Sequence, residues 1–222
     1  MRGKFITFEG GEGTGKSTQA NLLANRLRAL GLGVVVTREP GGSAGAEAIR
    51  HVILSGAAKP LGPYAETILF AAARADHVKQ TIEPARIAGK WVISDRFADS
   101  TRIYQGVLGN VDARVIRRLE RLTIDESKPD LTLVLDVPAE QGLARAAQRR
   151  GGGAIDRFES ETLDFHKKLR EAYVELAERE PGRCVLIDAT ASAAVVSDAV
   201  WTAVNTRLHP AEAHLIIEDV AP

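Results

Sequence analysis

The chain has 222 residues, 45% of them hydrophobic and 26% charged, which is enough to bury a core without disulfides and unlike disordered or fibrous compositions. Its 29 Lys plus Arg balance 29 Asp plus Glu; a formal net charge of zero argues against a nucleic-acid coat or a membrane adhesin but leaves room for a local anion site. No window approaches the roughly 18 to 20 apolar residues of a membrane span and no signal-peptide pattern stands at the start, so a cytoplasmic protein is expected.

In chain order, short apolar runs alternate with helix-like segments. The runs are KFITFE (4–9), GVVVTR (33–38), WVISD (91–95), DLTLVLD (130–136) and RCVLID (183–188). Each is β-branched and bounded by Gly, Pro or a charged residue, as strands buried on both faces of a parallel sheet should be. The last contains Cys184, the only cysteine, which reads as a buried small hydrophobe. Helices are expected at about 17–30, 44–55, 65–88, 112–125, 139–150, 160–180 and 192–208. In the sixth, Phe165, Leu169, Tyr173 and Leu176 mark one buried face. The pattern predicts a single α/β domain over 1–209 with right-handed crossovers. After it comes a tail, 210–222, expected to fray, with partner contact through Leu215 to Ile217 as the alternative.

Directly after the first run stands GGEGTGKST, in which Gly10, Gly15, Lys16 and Ser17 satisfy the P-loop spacing. Glycines let successive backbone N–H groups face one anion, and the helix N-terminus adds its positive dipole end. Lys16 is placed to reach outer phosphates, and the Ser17 hydroxyl to ligate magnesium. Guanine-reading NKxD, switch DxxG and protein-kinase HRD elements are absent from the sequence. Arginines instead end strands: Arg38 in TREPGG and Arg96 in SDRFADSTRIYQG. Ligands of doubly wound sheets bind outside the strands' carboxyl ends, so two guanidinium forks there suit a second phosphate, that of an acceptor; surface salt bridges are the plainer alternative. Phe70 and Arg74, four apart in ILFAAARADHV, share a helix face able to stack on and hydrogen-bond to a base, unless Phe70 is simply core and Arg74 surface.

Taken in order, FEGGEGTGKST, TREPGG, AARADHV, SDRFADSTRIYQG, PDLTLVLDV and DRFE resemble the thymidylate kinase family across nearly the whole chain to about residue 190. The TREPGG and DR-x3-ST-x2-YQ motifs are far more specific than the P-loop. The resemblance implies a three-layer P-loop NTPase-type fold, a five-stranded parallel sheet with helices on both faces and a short lid. It also implies transfer of the ATP γ-phosphoryl group to dTMP with magnesium, and a homodimer.

Carried residue by residue, it assigns Gly10, Gly11, Glu12, Gly13, Thr14, Gly15, Lys16, Ser17 and Thr18 to ATP, and Arg38 and Arg96 to the dTMP phosphate. Phe70 would lie under thymine with Arg74 beside it; Ser100, Thr101 and Gln105 would line the base end and Tyr104 the deoxyribose. Glu9 and Asp95 are expected near magnesium or its waters with Ser17, and Glu39 is a further candidate, although Glu9 and Glu39 serve equally well as braces for arginines. The P-loop's variable positions hold no arginine. A lid at about 145–158 is therefore expected to supply it from Arg145, Arg149, Arg150 or Arg157, with Gly151 to Gly153 as hinge and the choice between Arg149 and Arg150 open. The plainer reading is a solvated basic helix end. Ile103, where the family carries a smaller residue, and Arg102 before it are departures that bear on the shape of the base pocket.

Overall fold

A strand whose every side chain is buried belongs in the middle of a sheet covered on both faces. Phe5–Glu9 (β1) is such a strand. In the computed structural model, which describes residues 2–124, 126–151 and 158–210 and Arg150 by its backbone alone, β1 is the central strand. The order is β2 (Val34–Arg38), β3 (Trp91–Asp95), β1, β4 (Leu131–Asp136) and β5 (Cys184–Asp188), all parallel. Four of the five strands begin one residue later than the apolar run that announces them.

The helices are α1 (Lys16–Ala29), α2 (Ala44–Leu54), α3 (Gly62–His77), α4 (Glu83–Ile87), α5 (Ala98–Thr101), α6 (Ala113–Thr123), α7 (Ala139–Arg150), α8 (Leu163–Arg179) and α9 (Ala193–Leu208). On one face, Leu23 and Leu27 of α1 and Val196, Val200 and Val204 of α9 cover Ile6, Phe8, Ile93, Leu131 and Leu133. On the other, Leu169, Ala172 and Tyr173 of α8 cover Val134 and Cys184, while Phe97 meets Phe5 edge-on at 4.9 Å. The parallel strands with helices packed on both faces are the α/β arrangement expected from the alternation of runs, and the three layers and five strands are those the resemblance implies.

Two stretches differ from expectation. The helix read as 65–88 is α3 and α4 joined by a π-helical turn, Val78–Ile82. The polar stretch after β3, which carries no helical period, is helical: α5 continues into a π-helical segment, Arg102–Leu108. π-helical turns occur disproportionately at functional sites. The glycines at 152 and 153, Arg157 and the tail from 211, Leu215 to Ile217 included, lie outside the described residues.

Candidate active site

The P-loop leaves the carboxyl end of central β1 and turns into α1 through Gly10, Gly13 and Gly15 at φ 133°, 67° and 90°, values open to glycine. Gly13 also lies against α7: a Cβ there would fall 1.9 Å from the Gly142 carbonyl oxygen, and one on Gly142 would fall 2.4 Å from the Glu12 oxygen. Lys16 is nearly buried, its Nζ donating to the Gly11 and Gly10 carbonyls at 2.7 and 3.2 Å. Burial, helped by nearby Arg96, pulls the ammonium below its ordinary pKa, against Glu12 and Asp95. The Ser17 hydroxyl donates to the Asp95 carboxylate at the end of β3.

Arg96 follows directly, with φ 69°, a left-handed backbone uncommon outside glycine. Its own backbone bond to the Phe8 carbonyl (2.9 Å) and that of the Ser94 hydroxyl to the Arg96 carbonyl (2.7 Å) hold it there. The guanidinium donates to Glu12 at 2.5 Å and to Gly10, Tyr173 and Ser100 at 3.1, 3.1 and 3.3 Å, with its centre 5.3 Å from the Tyr104 ring. Burial works against this charge, but Tyr104, Glu12, Tyr173 and Glu9 outweigh it. In return, although burial raises the Glu12 carboxyl, Arg96, Lys16 and the Tyr104 hydroxyl bring it down to about 2.

One cavity of about 230 Å³ gathers most of the expected residues. Glu12, Gly13, Gly15, Lys16, Ser17, Asp95 and Arg96 line it. Arg38, Glu39, Phe70, Arg74, Ser100, Thr101, Tyr104, Gln105 and Arg149 line it as well. Arg38 is half exposed and paired to Glu47 at 2.8 Å. Arg74 is buried: its Nε donates to Glu39 at 2.8 Å, and its Nη2 to Thr101 Oγ1 and the Phe97 carbonyl at 2.9 and 3.2 Å. Arg149 reaches Glu159 at 3.4 Å.

Glu9 stands apart. It is fully buried outside the cavity lining, and accepts from Phe97 N (2.8 Å), Ser100 N (3.3 Å), Ser100 Oγ (2.7 Å) and Tyr173 OH (2.9 Å). Burial, aided by Asp99 and opposed by Arg96, pushes its carboxyl up to about 7. These four donors make it a brace for the start of α5 and for Tyr173, and none of them is one of the arginines that the alternative to a place at the metal expected it to hold. Glu39 likewise braces Arg74. Arg145 turns to the loop after β5, donating to the Ala189 and Thr190 carbonyls at 2.8 Å each. Ile103 packs with Val134, Leu169 and Tyr173, Arg102 forks onto Glu120 at 2.7 and 2.9 Å, and neither is among the residues that line the cavity.

Sequence reasoning passed over several lining groups: Arg50, Leu54, Phe97, Phe158 and Glu159. Phe158 lines the cavity, 5.2 Å edge-on from Tyr104 and 6.4 Å from Phe70. Its signal was the DRFE motif; Arg50, one arginine on an amphipathic helix, carried none.

A P-loop opening on a cavity that arginines and aromatic rings also line defines a P-loop phosphotransferase of the α/β class. The family model for thymidylate kinase matches residues 8–200. A thymidylate kinase of Bradyrhizobium diazoefficiens is 60% identical over 215 residues, 97% of this chain and 94% of the relative. One of Nitrobacter hamburgensis is 61% identical over 208 residues, 94% and 90% of the two chains. The crystal structure of thymidylate kinase from Ehrlichia chaffeensis superposes with a TM-score of 0.73 at 31% identity, covering 92% of this chain and all of that one. The chain belongs to the thymidylate kinase family.

Proposed function

We propose that this chain transfers the γ-phosphoryl group of ATP to dTMP, giving dTDP and ADP, in the cytoplasm and as a homodimer. The observation that carries the reading is that one cavity is lined together by Lys16, Ser17, Arg38, Arg96, Phe70 and Arg74.

The acceptor is a phosphate, already nucleophilic, so the residues have chiefly to position two phosphates and neutralise charge. The P-loop amides and Lys16 hold the donor's outer phosphates. Arg96, aimed by its strained backbone and shared with Glu12, and Arg38 hold the acceptor phosphate. Phe70 and Phe158 sandwich the base, Arg74, Ser100, Thr101 and Gln105 face its edge, and Tyr104 flanks the sugar. Arg149 and Arg150 supply the lid's positive charge to the transferring group. The donor set fits magnesium, since Ser17 and Asp95 offer one hydroxyl and one carboxylate oxygen side by side, and this ion takes few protein oxygens when phosphates complete its shell. When bound it would neutralise phosphate charge.

The dimer reading is supported by an apolar surface that α2, α3 and α6 present together: Val52, Tyr64, Ile68 and Leu122 are 40%, 50%, 56% and 80% exposed. No described helix is long and apolar enough to cross a membrane.

The test is a panel of nucleoside monophosphates offered with ATP and magnesium, read by ADP release. Turnover with dTMP far above the other monophosphates is expected; equal or better turnover of a purine or cytidine monophosphate would overturn the acceptor assignment.

A further inference from the structure

The AARADHV stretch contributes more than Arg74. Arg74 and His77 stand three apart on α3, on one face, and each takes one oxygen of the same buried carboxylate. Arg74 Nε donates to Glu39 Oε2 at 2.8 Å, and His77 Nδ1 lies 3.0 Å from Glu39 Oε1. The other ring nitrogen, Nε2, is 2.7 Å from the Thr37 hydroxyl on β2. A carboxylate oxygen offers only lone pairs, so the ring proton sits on Nδ1, and in a neutral ring Nε2 accepts from Thr37. His77 is wholly excluded from solvent, and Glu39 and Arg74 are nearly so.

The ring is also walled in. A Cβ on Gly42, the second glycine of TREPGG, would fall 2.4 Å from both His77 Nε2 and Thr37 Oγ1. That glycine's carbonyl accepts from Thr81 at 2.7 Å, and its N–H donates to Glu47 Oε1 at 3.0 Å, the oxygen that also pairs with Arg38. Glu39 itself is fixed at the backbone, its N–H donating to the Asp95 carbonyl at 2.9 Å. Thr101 and the Phe97 carbonyl hold the guanidinium at Nη2, Glu39 alone holds it at Nε, and the direction of that carboxylate is fixed at its other oxygen by His77.

We propose that His77 is a positioning residue for acceptor recognition: through Glu39 it sets the angle at which Arg74 meets the acceptor's base. The proposal rests on the reading that Arg74 faces that base. Orientation is where an arginine fork gains its selectivity, so its loss falls on acceptor binding and spares the donor, whose contacts are with the P-loop in the proposed reading.

The experiment measures kcat and the KM of each nucleotide for four variants of the full chain. His77→Gln keeps an amide near the Nε2 position toward Thr37 and loses the Nδ1 donor. It should raise KM for dTMP roughly tenfold, the scale of one hydrogen bond to a charged group, with KM for ATP and saturated kcat changed less than about twofold. His77→Asn keeps a donor near the Nδ1 position and should recover most of that loss. His77→Ala should match His77→Gln wherever its melting curve shows a folded protein. A His77→Gln variant with unchanged KM for dTMP, with both KM values raised equally, or with no recovery in His77→Asn overturns the proposal. Arg74→Ala separates the two layers: if it raises KM for dTMP while His77→Gln does not, the base site stands and the role of His77 falls. If Arg74→Ala leaves that KM unchanged, the base-site reading itself falls.

Discussion

Three glycines of the P-loop differ only in backbone angle and in what surrounds them, which makes them a graded test of why the loop needs glycine. Gly11 has ordinary φ and nothing within 4 Å of where a methyl group would sit; Gly15 has φ 90° and equally open space; Gly13 has φ 67° and a backbone oxygen 1.9 Å away. Gly11→Ala should therefore be neutral or slightly stabilising, since it only narrows the unfolded ensemble, by about 0.4–1 kcal/mol. Gly15→Ala adds the left-handed penalty of about 1–2 kcal/mol. Gly13→Ala adds to that penalty an overpacking cost of about 1–3 kcal/mol, because the obstructing atom is the Gly142 carbonyl of α7 rather than a side chain that can turn aside. At about 2–4 °C per kcal/mol for a chain of this length, the melting temperature should stay level for Gly11→Ala and fall by several degrees for Gly15→Ala. For Gly13→Ala it should fall by on the order of 10 °C. The assay is thermal unfolding without nucleotide, by fluorescence and circular dichroism together. A Gly13→Ala protein melting within about 2 °C of Gly11→Ala would refute the argument that the P-loop and α7 meet through paired glycines.

Lys16→Ala should abolish phosphoryl transfer in a coupled ADP assay while leaving the circular dichroism spectrum unchanged. Removing Arg149 and Arg150 together should lower kcat by about 10³- to 10⁵-fold, the scale of an arginine finger, at little cost in melting temperature; an unchanged kcat would remove the lid from the chemistry. Glu12 gives a pH prediction with a definite sign. Its folded carboxyl, at about 2, lies below the ordinary 4.5, so its contribution is present above pH 4.5 and is lost as pH falls toward 2. The amount is on the order of 3 kcal/mol. Glu12→Gln should therefore flatten the acid limb of the stability curve between pH 4.5 and 2; parallel curves for the two proteins would show that the ion pair with Arg96 contributes nothing to the fold.

Much of the fold was legible because its signals are local. A five- or six-residue β-branched run between turn residues is a buried parallel strand, and a P-loop declares its ligand by the spacing of Gly10, Gly15, Lys16 and Ser17. Arg38 and Arg96 were legible by one further step, since strand ends in a parallel sheet share an edge. The stretch from Ala98 to Leu108 was not legible as a helix, and the reason is physical. It is polar, short and partly π-helical, so neither propensity nor a 3.6-residue period marks it. What orders it arrives from far along the chain: Glu9, some 90 residues earlier, accepts from its first amides, and Arg183, some 84 residues later, clamps Asp99 at 2.7 and 3.0 Å.

The same division separates the groups that touch nucleotide in the proposed site from those that aim them. Each contacting residue sits in a motif whose local order reveals it. Each aiming residue is revealed only by a contact between elements: Tyr173 of α8 on Arg96, His77 of α3 on Glu39. Sequence spacing carries no trace of such pairs, since Tyr173 occupies a core position of an amphipathic helix and His77 ends a helix whose other residues explain it equally well. Glu9 and Glu39 show what such contacts add to a residue type. Both are acidic groups at the carboxyl ends of strands, where a metal ligand is expected, and both are occupied by donors that only the folded chain brings to them. A carboxylate at a strand end is thus ambiguous until its donors are counted. Four donors on Glu9 and two on Glu39 give both carboxylates a bracing role, and of the two Glu39 alone lines the cavity, as Asp95 does beside the Ser17 hydroxyl.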